Sequence, residues 1–538
     1  MATPEDFDRL TRGERVRESL PSVLTLVALG LALLLLAPVA WVLLEALQVE
    51  QARALEILTS PDTLQVVLNS LVLTAGVTAG SILLGVPLAI LTAQTTLPGR
   101  RVWTVVVALP LVIPSYIGAF AFVSAFGPRG VLQGLLAPIG IAELPAIYGL
   151  AGTVLVLTLF SYPYVFLTTR ASLLSVDATV LEAARTLNHD RLAAFRRVIL
   201  PQIKPGVAAG ALLVALYTLS DFGTPRIMQY RVFTVMIFEE TQAFNVGFAA
   251  LLSLVLLGLT VVILAWESRI NASREGAHVA GGGERPGRIA LGRWRWPALG
   301  SVAGVAVLAL VVPLGILVMW LFRPSPGSGG LAFELGYAVN SLWVAGVAAL
   351  FAVLLGLPIA YLSARSRSRL GSLPERSTYV GYAMPGVVLG LAMIVLGIRF
   401  VPALYGTVTL LLFAYVVRFI PQAVGIMESS ILQVDPAHVE AARTMGDSSL
   451  VSFLRVTLPQ IFPGVAAGGA LVFLTTMKEL PATLLLRPID FETLVTYIWI
   501  VQDGAAYGKA AVPALVLVGV SAMSMVVILS RERYNGTE

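Results

Sequence analysis

Long apolar blocks alternate with short polar segments along almost the whole of this chain. The blocks lie near residues 22–46, 63–93, 102–126, 148–170, 206–224 and 247–266, then near 297–322, 338–363, 378–398, 403–428, 464–481 and 510–530. Each approaches the length a helix needs to cross the hydrocarbon core of a bilayer. The pattern predicts an all-α polytopic membrane protein with about twelve transmembrane helices. Proline within blocks, such as Pro87 and Pro358, is compatible with this, because neighbouring helices in a membrane re-satisfy the backbone groups it frees. Composition agrees: 57% of residues are hydrophobic and 12% charged, with a mean hydropathy of +0.86, whereas ordinary soluble domains carry about 25% charged residues. The first block, Val23 to Leu44, is too long for a signal-peptide core. The mixed-charge stretch before it, with Glu5, Asp6 and Asp8, lacks a basic leader, so the block reads as an uncleaved first helix.

The blocks form two sets of six. Asn69-Ser70-Leu71 matches Asn340-Ser341-Leu342, Leu84-Gly85-Val86-Pro87 matches Leu355-Gly356-Leu357-Pro358, and Pro114 stands opposite Pro385, all 271 residues apart. From Pro163 and Pro421 onward the offset is 258, so the first half carries 13 extra residues, expected around 127–147. An even number of spans per half makes this a parallel repeat with its axis along the membrane normal. The predicted organisation is a first half at 1–270, a linker at 271–296 and a second half at 297–538. The linker, rich in Gly, Arg and Glu, reads as flexible chain. Most of the 36 Lys and Arg fall on segments that are cytoplasmic if the N-terminus is inside. That bias places both termini and the linker in the cytoplasm. It also accounts for the net charge of +5 without a nucleic-acid partner.

One polar motif occurs in each half, within cytoplasmic loops at 171–205 and 429–463. The first copy has Glu182-Ala183-Ala184-Arg185, Asn188 and then Leu200-Pro201-Gln202-Ile203. The second has Glu440-Ala441-Ala442-Arg443, Gly446 and then Leu458-Pro459-Gln460-Ile461. Glu to Pro spans 19 residues in both. One Glu-Ala-Ala-Arg is ordinary helix-forming sequence; its duplication at fixed spacing with the same flank is what points to two docking sites for a partner outside the membrane. In the second copy Asp435 can cap a helix that starts at Pro436. Val439, Ala442 and Met445 fall on one face, as do Val180, Ala184 and Leu187 in the first copy. Gly446 suits the helix end, Asp447-Ser448 can start a second helix, and that helix is expected to stop near the Leu-Pro pair.

These residues resemble the Glu-Ala-Ala loop of binding-protein-dependent ABC importer permeases of the type I fold. The resemblance covers nearly the whole chain, and its fused two-half plan is similar to the ferric iron permease branch. It implies that each loop holds a coupling helix seated in a cleft of a cytoplasmic ATPase. The implied partners are two ATPase subunits and an extracytoplasmic substrate-binding protein, here one for ferric iron, around a chain in the cytoplasmic membrane. ATP and Mg would be used by the ATPase, with no cofactor bound by this chain and no enzyme activity of its own. One departure is Asn188, where the family has glycine; asparagine tolerates the left-handed conformation better than most residues. Thiamine permeases share the fused plan and are the nearest alternative; importers of other small solutes, such as polyamine, sulfate and phosphonate, are more distant ones.

The segments Leu219-Ser220-Asp221-Phe222-Gly223-Thr224-Pro225 and Met477-Lys478-Glu479-Leu480-Pro481 carry the candidate path residues. The second, continued by Arg487-Pro488, Thr493-Leu494 and Trp499, looks like the ferric iron permeases. Asp221 and Glu479 are equivalent by the 258 offset. Counting from Gly206, the acid lies roughly 22 Å along its helix, in the outer part. Acids at that depth are costly and therefore functional candidates, lining the mouth of a central path with Tyr217, Ser220 and Lys478. The other reading is of helix-end acids reaching outer water, with Glu479 paired to Lys478 or Arg487. Arg418 lies inside a span and its partner is not legible.

Cysteine is absent and the three histidines, His189, His278 and His438, are scattered, so no resident metal centre is expected. No Gly-x-x-x-x-Gly-Lys-Ser/Thr loop occurs, which puts nucleotide chemistry on a separate subunit. A secondary transporter would fit the span number and linker, but it leaves the duplicated loops unexplained.

Overall fold

Among the described residues, ten helices are long and apolar enough to cross a membrane, and two further pairs reach that length only across a sharp bend. The computed structural model describes residues 22–127, 130–139, 147–175, 200–272, 289–322, 332–366, 369–503 and 507–534. In the first half these form α1 (Ser22–Leu47), α2 (Gln51–Thr59), α3 (Pro61–Gln94), α4 (Arg100–Ala108), α5 (Ser115–Phe126) and α6 (Val131–Leu136). They continue as α7 (Gly149–Leu174), α8 (Leu200–Ser220), α9 (Gly223–Ile227), α10 (Phe233–Gln242) and α11 (Val246–Ala272). The second half begins with α12 (Arg295–Ala306), α13 (Val312–Leu321), α14 (Leu335–Arg365), α15 (Arg369–Ala383), α16 (Gly386–Phe400) and α17 (Val408–Leu432). It ends with α18 (Pro436–Thr444), α19 (Ser449–Ser452), α20 (Leu458–Met477), α21 (Pro481–Leu486), α22 (Leu494–Asp503) and α23 (Tyr507–Tyr534).

The third and ninth spans, expected as unbroken helices, are bent by 93° and 103°. The cause is the proline pair already visible in the repeat. Ile113 takes an extended conformation before Pro114, and Pro114 and Pro385 stand at the entries to α5 and α16 with ψ of 136° and 146°. Proline lacks the N–H that would continue the ladder, and it disfavours helix in the residue before it. Each break frees backbone carbonyls inside the protein, where they must find partners.

A second difference follows the fifth and eleventh spans. The chain does not leave as loops there but turns back through α9 and α10, or α21 and α22. Phe233, Val235, Met236 and Ile237 are buried in one pair, Leu494, Tyr497 and Ile498 in the other.

The two halves interlock through their first spans. α1 packs on α14, α15 and α16 of the second half, while α12 packs on α4 and α13 on α5. Close approach within the first half depends on Gly85 of α3, where a Cβ would lie 2.9 Å from both the Phe166 backbone nitrogen and the Val165 Cβ of α7. The described end of the linker is pinned as well: Ile289 donates to the Gln94 carbonyl at 2.8 Å and accepts from the Thr96 N–H at 3.1 Å.

Candidate functional site

A cavity of about 180 Å³ lies where the two helix breaks meet the ends of α8 and α20. Tyr217, Ser220 and Asp221 line it from the first half, Lys478 and Glu479 from the second, so all five candidate path residues face one space. Both acids also have a local task. Asp221 Oδ1 accepts from the Thr224 N–H at 2.9 Å and Glu479 Oε1 from the Ala482 N–H at 3.2 Å. These are equivalent bonds, each to the residue three positions on, and they fix the starts of α9 and α21 as caps do.

Beyond that the two acids diverge. The Ser115 hydroxyl donates to Asp221 Oδ2. Glu479 instead pairs with Arg418, whose Nε lies 3.3 Å from Oε2. The partner is therefore Arg418 rather than Lys478 or Arg487, the pairings considered from sequence; Arg487 pairs with Glu492. Arg418 Nη1 also donates to the Met384 carbonyl at 2.9 Å, at the second break. Lys478 Nζ crosses to the other half and donates to the Leu111 carbonyl at 2.9 Å, at the first break. One carbonyl at each bend is thus satisfied by a cation of the cavity. Gly386, the counterpart of Ser115, makes room for this: a Cβ there would collide with Glu479 Oε1 and come within 3.0 Å of Arg418 Nη1.

The second copy of the duplicated motif forms α18. Asp435 accepts from the Ala437 N–H at 2.9 Å and Pro436 is the first helical residue. Val439 and Ala442 are buried, whereas Glu440, Ala441 and Arg443 are exposed. Met445, expected on the buried face, is 82% exposed because it lies past the last turn of α18. Gly446 has φ of +100°, a conformation that suits glycine. Ser448 caps α19. The following helix does not stop at Leu458-Pro459. It runs through a π turn at Phe453–Thr457 into α20, with Pro459 in that helix's first turn, where a missing N–H is tolerated. In the first copy, Glu182, Ala183, Ala184, Arg185 and Asn188 lie outside the described residues, and exposed Pro201 opens α8.

A family model described as binding-protein-dependent transport system inner membrane component matches residues 85–274 and again 352–532, one match in each half. The chain belongs to this family. A Fe(3+)-transport system permease protein of Haemophilus influenzae is 31% identical over 93% of this permease and 96% of its own length. A ferric transport system permease protein of Actinobacillus pleuropneumoniae is 23% identical over 84% of this chain and 69% of its own. A sulfate transport system permease protein of Salmonella typhimurium is 25% identical over 47% of this chain and 92% of its own, about one half.

The permease thus has the all-α type I fold as two fused repeats and is a membrane component of a transport system that works with a binding protein. The cavity also holds residues that sequence reasoning passed over. Tyr116, buried and on the wall of the first break, has a hydroxyl with no hydrogen-bond partner among the described residues. Its position directly after Pro114-Ser115 was the available signal. Among the described residues no group of three or more carboxylate or histidine side chains could hold a metal ion.

Proposed function

We propose that this permease imports ferric iron across the cytoplasmic membrane. Iron is delivered by an extracytoplasmic binding protein, and a separate pair of ATPase subunits drives passage by closing on ATP and Mg. The observation that carries the reading is the likeness to the Haemophilus Fe(3+)-transport permease, which runs through both halves. The two ATPase subunits dock on the loops at 171–205 and 429–463. In the second loop, exposed Glu440 and Arg443 lie beside exposed Met445 and Leu450, a mixed charged and apolar surface that suits a protein cleft. Both termini and the linker are cytoplasmic on this reading, in keeping with the Lys and Arg bias.

The path runs between the halves through the cavity bounded by Tyr217, Ser220, Asp221, Lys478 and Glu479. Rigid movement of one half against the other exposes it to each side in turn. Because Glu479 is held by Arg418 and Asp221 by Ser115, the acids shape the passage while already bonded, and cargo must compete with those bonds.

The test is the ATPase activity of the purified permease–ATPase complex in lipid, with binding proteins added loaded or empty. Stimulation by the iron-loaded protein is expected. Stimulation only by a thiamine-loaded protein would keep the mechanism and discard iron, and no ATPase association would remove the importer assignment. Substituting Glu182 and Glu440 together should abolish ATPase association and leave the membrane fold intact.

A further inference from the structure

We infer that the paired starts of α4 and α12 form a binding site for an anionic phospholipid. Ile289 pairs with Thr95 and the Leu291 N–H donates to the Thr96 hydroxyl, and α12 packs on α4, so the segment carrying Arg293, Trp294, Arg295 and Trp296 runs beside the one carrying Arg101. All three arginines are exposed, and none forms an ion pair among the described residues. The two tryptophans are 64% and 65% exposed, and the Arg295 guanidinium lies 5.2 Å from the Trp296 ring centre. The same two contacts hold in place the backbone that carries this cluster, the Leu291 bond at 3.3 Å.

The neighbouring surface decides what kind of partner fits. Along the same two helices, exposure continues through Val102 and Val105 on α4 and through Val307, Leu308 and Val311 after α12. Those helices belong to membrane-length elements, so the apolar strip faces acyl chains and the arginines sit at its polar border. Tryptophan favours that border, and basic side chains there attract anionic headgroups. A phosphate held among the three arginines, with its acyl chains along the valines, matches both parts of the surface. On the orientation proposed above, the lipid belongs to the cytoplasmic leaflet.

The experiment is native mass spectrometry of the complete permease–ATPase complex incubated with equal amounts of phosphatidylglycerol and phosphatidylcholine of identical acyl chains. It does not depend on leaflet, so a failed orientation would leave its outcome unchanged. Phosphatidylglycerol should be retained in preference by about tenfold. The triple variant Arg101→Gln, Arg293→Gln, Arg295→Gln should bring the ratio close to parity, with unchanged melting in phosphatidylcholine alone. The corresponding triple lysine variant should keep most of the preference. If the triple glutamine variant does not fold, Arg293→Gln alone should lower the ratio about threefold. An undiminished preference in the folded neutral variant would overturn the proposal. So would release of the lipid by millimolar inorganic phosphate, which would mark a free-phosphate site.

Discussion

Replacing Arg418 with methionine removes the guanidinium from beside Glu479 and leaves a buried carboxylate with less to neutralise it. The two side chains are 11% and 8% exposed, with Nε and Oε2 3.3 Å apart. At that separation and an effective dielectric of about 20, their attraction is about 5 kcal/mol. Stripping one partner from a buried pair costs about 3–5 kcal/mol, because the remaining charge stays in a poor solvent. The secondary bonds make the two single variants unequal. After Glu479→Gln, Arg418 keeps the Met384 carbonyl, and the amide can still accept from the Ala482 N–H. After Arg418→Met, the carboxylate keeps only that N–H and its full charge.

The expected order follows: Arg418→Met loses about 3–4 kcal/mol, and Glu479→Gln about 2 kcal/mol. The double variant should be more stable than Arg418→Met alone, since no charge is left unpaired. Unfolding of the lipid-solubilised permease, followed by tryptophan fluorescence in all four proteins, closes the cycle. If the double variant lost the sum of the two single effects, the residues would not be coupled and the argument from the ion pair would fall.

Three further outcomes follow from the same geometry. Gly386→Ala should lower thermal stability and abolish uptake, because its Cβ collides with Glu479 and crowds Arg418; normal uptake would mean that the pair can move aside without loss. Lys478→Met breaks the bond to the Leu111 carbonyl that joins the halves, so ATPase activity without loaded binding protein should rise about fivefold, whereas unchanged basal activity would remove any latching role. Gly446→Ala places a side chain at φ of +100°, at a cost of about 1–2 kcal/mol, and should weaken ATPase association about tenfold in a pull-down titration, with Gly446→Asn less affected; equal effects of the two would argue against the left-handed turn as the cause.

The features legible in the sequence were those with a local or periodic cause. The apolar blocks, the 271 and 258 offsets and the Asp435-Pro436 helix start depend on neighbours in the chain or on its repeat. Pro114 and Pro385 were visible too, but a membrane proline is compatible with a smooth kink as well as a break. What decides for a break is the extended residue Ile113 and the docking of carbonyls 111 and 384 on Lys478 and Arg418. The partner of Arg418 was illegible because Glu479 is 61 residues away and meets it only once α17 and α20 pack. The buried α10 and α22 were missed for a related reason. Their segments are shorter than a span and mixed in polarity, and only the surrounding helices take them out of solvent.

The repeat makes the backbone of the cavity nearly symmetric, so any chemical difference across it must come from side chains at equivalent positions. The positions that differ include Ser115 with Gly386, Phe160 with Arg418, and Ser220 with Lys478, the last two 258 residues apart. The first-half wall carries one acid, Asp221, among serine and tyrosine hydroxyls and aromatic rings. The second-half wall carries an acid and two cations. The glycine at 386 goes with this, since a Cβ there would collide with Oε1 of Glu479, the acid paired with the guanidinium, and come within 3.0 Å of Arg418 Nη1. Charge is therefore divided across the gap between the halves, negative on one side and net positive on the other, and it favours the approach in which Lys478 reaches the Leu111 carbonyl. On the proposed alternating-access reading, separating the halves works against that attraction, so side chains that the repeat does not share contribute to the energy of opening.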